Sequence, residues 1–151
     1  MADQLYPVFE IPSMEDKEDT EGVYAEEYFW PGPLFDFTTG DFTRNGANQV
    51  VMVEGYDEYM LWVMKCIRTQ IGSCAAYPDF GIDLNGAIAE VSHEAVSSAL
   101  EKTITEGLLA NPRTDRVRDF KLTFNGDELT VYFIVEPKGL PAFDMTMTIV
   151  Q

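Results

Sequence analysis

Four acidic residues in the middle of the chain lie close enough in sequence to face a common cleft. Asp79 and Asp83 stand in one irregular segment, and Glu90 and Glu94 follow it. Glycoside hydrolases use two carboxyl groups that face one sugar bond, one of them with a raised pKa. A chain with 26 acidic residues offers such pairs by chance, and none of these four has an evidently hydrophobic setting. We therefore keep hydrolysis of glycosidic bonds only as an alternative function.

Other reactive residue types are few. His93 is the single histidine, and no motif of nucleophilic or phosphate-binding enzymes accompanies it. Cys66 and Cys74 have a spacing that fits neither a redox pair nor a zinc site. The segment Asp79–Asp83 is too short for a calcium-binding EF-hand loop, and the acidic run Glu15–Glu21 would bind Ca²⁺ only weakly. The sequence thus predicts no catalytic residue, no cofactor and no metal ion.

The overall charge narrows the class of partner. Ten Lys and Arg residues stand against 26 Asp and Glu, which gives a net charge of −16 and an isoelectric point near 4.1. Such a surface repels phosphate backbones and anionic lipids, so we expect neither nucleic acid nor membrane as a partner. No run approaches the roughly 18 apolar residues of a membrane span, and the first residues lack the pattern of a secretory signal. We expect synthesis in the cytoplasm.

Residues 1–30 are predicted to form an acidic N-terminal arm. They carry nine acidic residues against Lys17 alone, and the run Ser13–Gly22 is too polar to fold by itself. Apolar residues flank this run and are candidate anchors on another surface: Tyr6, Phe9, Tyr28, Phe29 and Trp30. Docking of the arm and a frayed tail both remain open.

Residues 31–151 have the pattern of one α+β domain. Turn signals at Thr38–Asp41 and Asn45–Gly46 separate short apolar runs, which predicts a small β unit. A first helix is expected from an N-cap at Asp57 to about Gln70, on an apolar stripe of Met60, Val63, Met64, Ile67 and Ile71. The segment Ser73–Gly86 is expected to be irregular because of Pro78, Gly81 and Gly86.

A second helix and three strands complete the prediction. Ser92 caps a helix that runs to Ala110, with Val96, Leu100, Ile104 and Leu108 as its stripe. Alternation then indicates two strands joined at Asn125–Asp127 and a third one from Phe143 onward. The predicted fold is two amphipathic helices packed on an antiparallel sheet, preceded by the small β unit and the extended acidic N-terminal arm.

Two features of the domain suggest contact with other proteins, although internal packing is the alternative for each. Tyr77, Pro78 and Phe80 lie in the irregular loop between the helices, and such loops often carry recognition. The last strand has no charged residue from Met145 to Val150. A strand edge without charge or proline is open to pairing, within the domain or with another chain.

An ordered set of segments resembles the baseplate wedge and sheath-initiator family of contractile phage tails. The resemblance covers about Leu34 to Glu136 and is nearest to the branch found in defective prophages and phage-tail-like bacteriocins of Gram-positive bacteria. The segments that carry it are Leu34–Phe42 (LFDFTTGDF), Val53–Gly55, Trp62, Tyr77–Gly81 (YPDFG), Thr105–Arg113 (TEGLLANPR) and Gly126–Val131 (GDELTV).

This resemblance implies a structural baseplate protein and no enzyme. Some relatives carry a lysozyme-like label, and this label gives the alternative function, a cell-wall glycan hydrolase that uses paired carboxylates. It implies six copies per particle around the tube, contacts with wedge and inner baseplate proteins, contact with tube-proximal proteins, and strand exchange with the first sheath ring. The protein would be in the host bacterial cytoplasm during assembly and in the baseplate of the finished tail particle. The wedge contact would use Tyr77, Pro78, Asp79, Phe80 and Gly81, and the sheath-pairing strand would use Met145, Thr146, Met147, Thr148 and Ile149.

One departure from the family pattern affects the wedge contact. Many relatives show Glu, Arg and Pro before the PDFG-like segment, whereas this chain has Ser73–Tyr77 (SCAAY) there. The contact, if kept, is therefore expected to be apolar or made by backbone groups. An acidic adaptor of a basic cellular protein remains a third interpretation, and the choice between infectious phage and bacteriocin stays open.

Overall fold

The computed structural model of the protein describes residues 31–150. The arm, its anchors Tyr6, Phe9, Tyr28, Phe29 and Trp30, and the acidic run Glu15–Glu21 lie outside the described residues. Within them the elements follow in the order β1 (Gly32–Pro33), β2 (Phe35–Asp36), β3 (Asp41–Phe42), β4 (Met52–Val53), α1 (Gly55–Arg68), α2 (Leu84–Ile88), α3 (His93–Leu109), β5 (Thr114–Asn125), β6 (Glu128–Pro137) and β7 (Phe143–Val150).

The main sheet consists of β5, β6 and β7 in that order, all antiparallel. Gly126 and Asp127 join β5 to β6 as a two-residue turn, and Gly126 has a φ of 60°, which glycine adopts readily. The predicted alternation is confirmed, because one face of the sheet carries the apolar side chains. In β6 these are fully buried: Leu129, Val131, Phe133 and Val135.

Helix α3 confirms its prediction in position and in face. Ser92 is the N-cap, and its Oγ accepts a hydrogen bond from the amide of Ala95 at 3.2 Å. The whole expected stripe is buried against the sheet and the other helices: Val96, Leu100, Ile104 and Leu108. The helical period of 3.6 residues was sufficient to predict the buried face, because α3 buries a single stripe.

Helix α1 differs from its prediction in cap and in face. Its N-cap is Glu54, which makes no side-chain capping bond, while Asp57 lies in the first turn. The buried face is centred on Tyr59 and Val63, and Ile71 lies beyond the helix and is exposed. The face is rotated because the Tyr59 hydroxyl reaches Thr114 Oγ1 at 2.7 Å, so the tyrosine can be buried with its polar atom satisfied.

The segment predicted to be irregular through Gly86 becomes helical earlier, at Leu84. Asp83 is the N-cap of the short α2, and its carboxylate accepts from the amide of Gly86 at 3.1 Å. A glycine inside a single helical turn is tolerated because this capping bond, not propensity, fixes the turn. The stretch from Ser73 to Asp83 is irregular as expected.

The small β unit is confirmed as two short antiparallel pairs, β1 with β4 and β2 with β3. The Phe35 ring contacts Phe37 and Phe42 edge to face, with ring centroids 5.1 and 5.3 Å apart. The described residues therefore have the predicted α+β fold, with helices on one face of the antiparallel sheet. None of the three helices in residues 31–150 has the length and apolarity of a transmembrane span.

Candidate functional site

Strand β7 lies at an edge of the main sheet. It pairs with β6 along its whole length, from Phe143 opposite Val135 to Val150 opposite Glu128. On its other side, no strand within residues 31–150 pairs with it. One border of β7 is therefore open to a further strand.

The turn between β5 and β6 decides which backbone groups face this open border. In a two-residue hairpin the closing pair, Asn125 and Glu128, exchanges both hydrogen bonds. Alternate residues of β6, beginning with Leu129, then direct their amide and carbonyl groups to β7. Their partners on β7, such as Met145 and Met147, bond back to β6. The residues between them direct their backbone groups away from β6, so Thr146 and Thr148 present their N–H and C=O groups to the open border.

The opposite edge of the sheet, on β5, is protected against such pairing. Its residues include five charged side chains, and its register is shifted at two places. Asp119, at one of these irregularities, has a φ of 57°. Charges and bulges disfavour a further strand, whereas β7 has no charge from Met145 to Val150. The two edges thus differ in charge and in regularity of register, and both control whether a further strand can be added.

A groove of about 420 Å³ runs beside β7, and we call it the β7 groove. Residues of α1 and β7 form most of its lining, and Leu84 of α2 also contributes. Its lining residues are Met64, Ile67, Arg68, Leu84 and Met145–Ile149. A strand added to β7 would direct every second side chain into this groove.

The second predicted surface is the interhelix loop, Tyr77–Gly81, and backbone bonds hold it in place. Ile82 pairs with the chain after α1, because its amide donates to the Thr69 carbonyl and its carbonyl accepts from the Ile71 amide, both at 2.9 Å. The Gly72 amide donates to the carbonyl of Pro78 at 2.9 Å. The loop is therefore closed at its base by regular hydrogen bonds.

Side chains of the interhelix loop divide between the core and the surface. The Phe80 ring lies 5.9 Å from the ring of Trp62, edge to face, and is half-buried. Tyr77 is 69% exposed. A shallow hollow of about 380 Å³ lies beside the loop and is lined by Trp62, Ala76–Gly81, Gly107 and Ala110. An exposed aromatic beside an apolar hollow is typical of a protein contact.

The four carboxylates considered for hydrolysis are not arranged as an acid–base pair. Asp79, Asp83, Glu90 and Glu94 are all exposed. Hydrogen bonds from the Gln70 side chain and the Gly86 amide hold the pKa of Asp83 below its usual range. A general acid needs the opposite shift, which burial would cause. In addition, no group of metal-binding side chains occurs among residues 31–150.

The remaining reactive side chains have structural surroundings. His93 is exposed and stacks on the Phe124 ring, with centroids 4.1 Å apart. Cys66 is fully buried, and burial raises the pKa of its thiol to about 11. Cys74 is exposed in the interhelix segment.

This contrast between the thiols gives a direct check of the fold. At pH 8 iodoacetamide should alkylate Cys74 within minutes and leave Cys66 unmodified, because a buried thiol with a pKa near 11 is almost wholly protonated. Mass spectrometry of tryptic peptides measures both. Unfolding in urea should make the two thiols react alike, and rapid labelling of Cys66 in the native protein would contradict the packing of α1.

A comparison with protein families identifies the family of this chain. The model of the family "contractile injection system sheath initiator" matches residues 33–138, over two thirds of the chain. The chain belongs to the sheath initiator family. The matched range agrees with the segment Leu34–Glu136 that carried the resemblance in sequence. Membership indicates a structural role in a contractile tail.

A solved structure shows the same fold at low sequence identity. It comes from Geobacter sulfurreducens and is provisionally described as a tail lysozyme, with a TM-score of 0.58 and 14% identity, covering 68% of this chain and 96% of its own. At that identity the likeness concerns the fold alone. No curated protein sequence matches this member of the sheath initiator family.

Some residues of the two surfaces were not identified from sequence. Gln70 connects three segments, since its amide donates to Asp83 at 2.9 Å and its carbonyl oxygen accepts from the Asn85 amide at 3.1 Å. Arg68 lines the β7 groove, and its place in the last turn of α1 gave no indication of this in the sequence. A close contact at Gly107 could have been predicted, because glycine inside a helix is unfavourable unless another segment packs closely on it.

Proposed function

We propose that this protein initiates the sheath by accepting a sheath strand at the open border of β7. The arrangement of β7 carries the proposal: a charge-free edge strand, outward backbone groups at Thr146 and Thr148, and a groove alongside. An added strand would satisfy those groups by main-chain hydrogen bonds and place alternate side chains in the groove. Met145, Met147 and Ile149 would contact those side chains from the sheet.

The energetics of such a joint depend on repetition. Each main-chain hydrogen bond contributes about 1 kcal/mol net, so a single added strand is weakly held. Six copies around the tube would present six such edges at fixed positions. Binding of one sheath subunit then raises the effective concentration of the next contacts, which makes the first ring firm without any strong single contact.

Reconstitution tests this proposal. Baseplate and tube assembled without this protein should accept almost no sheath, and addition of the purified protein should restore sheathed tubes, counted by negative-stain electron microscopy. Sheath that starts equally often on tubes lacking the protein would contradict the proposal. The neighbouring genes offer a second check, because sheath, tube and wedge proteins should be encoded there.

We further propose that the interhelix loop links the protein to wedge and inner baseplate proteins. Tyr77 is exposed beside the hollow that Trp62 and Ala110 line, and no charged side chain precedes Asp79 in this segment. The surface therefore suits an apolar partner, such as the apolar face of a helix. Tube-proximal proteins are further candidates for contact with the ring. Assembly would take place in the host cytoplasm.

Removal of the Tyr77 side chain should weaken this contact and leave the fold stable. Tyr77→Ala removes an exposed aromatic side chain, so we expect loss of about 1–2 kcal/mol of binding to the wedge complex and little change in the stability of the fold. Isothermal titration with the wedge complex and urea unfolding measure the two effects. Val91→Ala is the matched control, because Val91 is fully exposed and lies outside the hollow. Equal affinity of both variants would contradict the assignment.

For the arm we propose that residues 1–30 wrap a neighbouring baseplate subunit through Tyr6, Phe9, Tyr28, Phe29 and Trp30. The alternation of aromatic and highly acidic segments motivates this role. Deletion of residues 1–30 should reduce co-purification with at least one baseplate partner. Normal co-purification with every baseplate partner would contradict this role of the arm.

The glycan hydrolase alternative is not favoured by these observations. It requires a carboxyl group with a raised pKa, whereas the shifted carboxyl groups among residues 31–150, Asp36, Asp83 and Glu136, all have lowered pKa values. Single amide replacements of Asp79, Asp83, Glu90 and Glu94 should leave particle assembly intact. Loss of cell-wall cleavage in such variants would support the hydrolase instead.

A further inference from the structure

Arg68 occupies a distinctive place at the β7 groove. It is the last residue of α1 and lines the groove together with Met64 and Ile67. Its guanidinium lies over the ring of Phe37, 4.6 Å from the ring centroid. A cation–π contact of this kind limits the rotamers of a long side chain, so the charge is held beside the groove that Arg68 lines.

Arg68 has no ion-pair partner within the described residues. No carboxylate of residues 31–150 lies within 4 Å of its guanidinium. Three other arginines do have acidic partners: Arg113 binds Glu58 at 2.7 Å, and Arg116 and Arg118 both bind Glu136. Arg44, which lies outside the groove, resembles Arg68 in having none among residues 31–150. As far as residues 31–150 are concerned, the cation in the groove can thus accept a carboxylate from another segment.

Arg68 is the charged residue of the groove lining. The other lining residues are apolar or threonine: Met64, Ile67, Leu84 and Met145–Ile149. Because α1 ends at Arg68, the charge lies where the helical wall of the groove ends. The β7 groove therefore presents one cation within an otherwise uncharged lining.

We propose that the β7 groove selects a strand with a carboxylate opposite Arg68 and apolar residues at its other inward positions. This inference rests on the proposed function and adds the chemistry of the partner strand, which is a segment of the sheath protein. Backbone pairing alone accepts any sequence. The pair between Arg68 and the carboxylate fixes the register of the strand, and the apolar groove excludes strands with other inward charges.

Charge reversal at Arg68 tests the inference. The sheath protein of the same particle, purified as a monomer, is bound to immobilised protein at low ionic strength. Arg68→Glu should weaken the apparent affinity about tenfold, because it removes one attraction and adds one repulsion. Added salt should shrink the difference. Arg44→Glu is the matched control, since Arg44 is exposed, lies outside the groove and changes the net charge equally.

The outcomes separate this inference from the proposed function. Equal affinities of Arg68→Glu and Arg44→Glu, with wild-type binding intact, would overturn the selection by Arg68 and leave strand addition standing. Wild-type protein that binds no sheath subunit would overturn both.

Cross-linking identifies the carboxylate. In Arg68→Lys a carbodiimide can join the new amine to a carboxylate in contact with it, and products absent from the wild type locate the partner by mass spectrometry. A cross-link to an acidic residue of the sheath protein, next to alternating apolar residues, is expected. A cross-link solely to residues 1–30 of this chain would show that the arm occupies the groove and would overturn the inference, as would the absence of any new product.

Discussion

Replacement of both Thr146 and Thr148 by proline should abolish sheath initiation while the subunit still folds. Their amide groups point to the open border of β7, so proline removes two donors that only an added strand would use. Proline is tolerated on an edge strand where the missing N–H faces outward. The hydrogen bonds between β6 and β7 are made by the intervening residues, such as Met145 and Met147, and should persist. Loss of two donors and the added steric bulk together should reduce initiation by more than a hundredfold.

Two controls make this result specific. Thr146→Ala with Thr148→Ala removes the hydroxyl groups and keeps both amides, so initiation should be close to wild type. Met147→Pro removes a donor of the internal ladder and should destabilise the fold itself. Sheathed tubes are counted by electron microscopy, and circular dichroism with thermal unfolding reports the fold. A folded double-proline variant that initiates sheath normally would exclude β7 as the pairing strand.

The sheet and α3 were predictable because local pattern and tertiary burial agree there. In β6, alternate residues from Leu129 to Val135 face the core, and the β5–β6 turn has its glycine where a positive φ is needed. In α3 the buried positions repeat at helical spacing. Each of these elements buries one face against one neighbour, so periodicity alone identifies that face.

Helix α1 shows where this reasoning stops. Its apolar and aromatic residues are not confined to one stripe. The burial of Tyr59 is favoured by a hydroxyl of Thr114, which is 55 residues away. Sequence spacing contains no information on such a partner. The short helix α2 likewise depends on a capping carboxylate, Asp83, whose pKa is lowered by a side chain from the end of α1.

The candidate site was predictable in its residues and not in its geometry. The absence of charge in Met145–Val150 and the place of Tyr77 in an irregular loop could be predicted from the sequence. The edge position of β7, the groove and the role of Arg68 follow only from the order of strands and from the placement of α1 beside β7. Strand order is a property of the whole domain, so no local pattern determines it.

Introduction of a methyl group at Gly81 should cause the largest loss of stability of any single substitution in the interhelix loop. Gly81 has a φ of 115°, a region that other residues rarely adopt. A Cβ there would lie 2.3 Å from the Thr69 carbonyl oxygen and 2.9 Å from the carbonyl carbon. That oxygen accepts the hydrogen bond from the Ile82 amide. Strain and overpacking each amount to roughly 1–3 kcal/mol, so Gly81→Ala should lower the free energy of unfolding by about 3–5 kcal/mol.

Gly107→Ala should have a smaller effect through the same contact. Its Cβ would lie 2.7 Å from Ile82 Cγ2 and 2.9 Å from the Gly81 carbonyl oxygen, but α3 itself prefers alanine by about 1 kcal/mol. We expect a net loss of about 1–2 kcal/mol. Gly46→Ala is the control, because nothing lies within 4 Å of its Cβ position. Urea unfolding midpoints rank the three variants, and an order other than Gly81, Gly107, Gly46 would contradict the close packing of the loop on α3. Since that packing holds Tyr77 in place, the same order should appear in the affinity for the wedge complex.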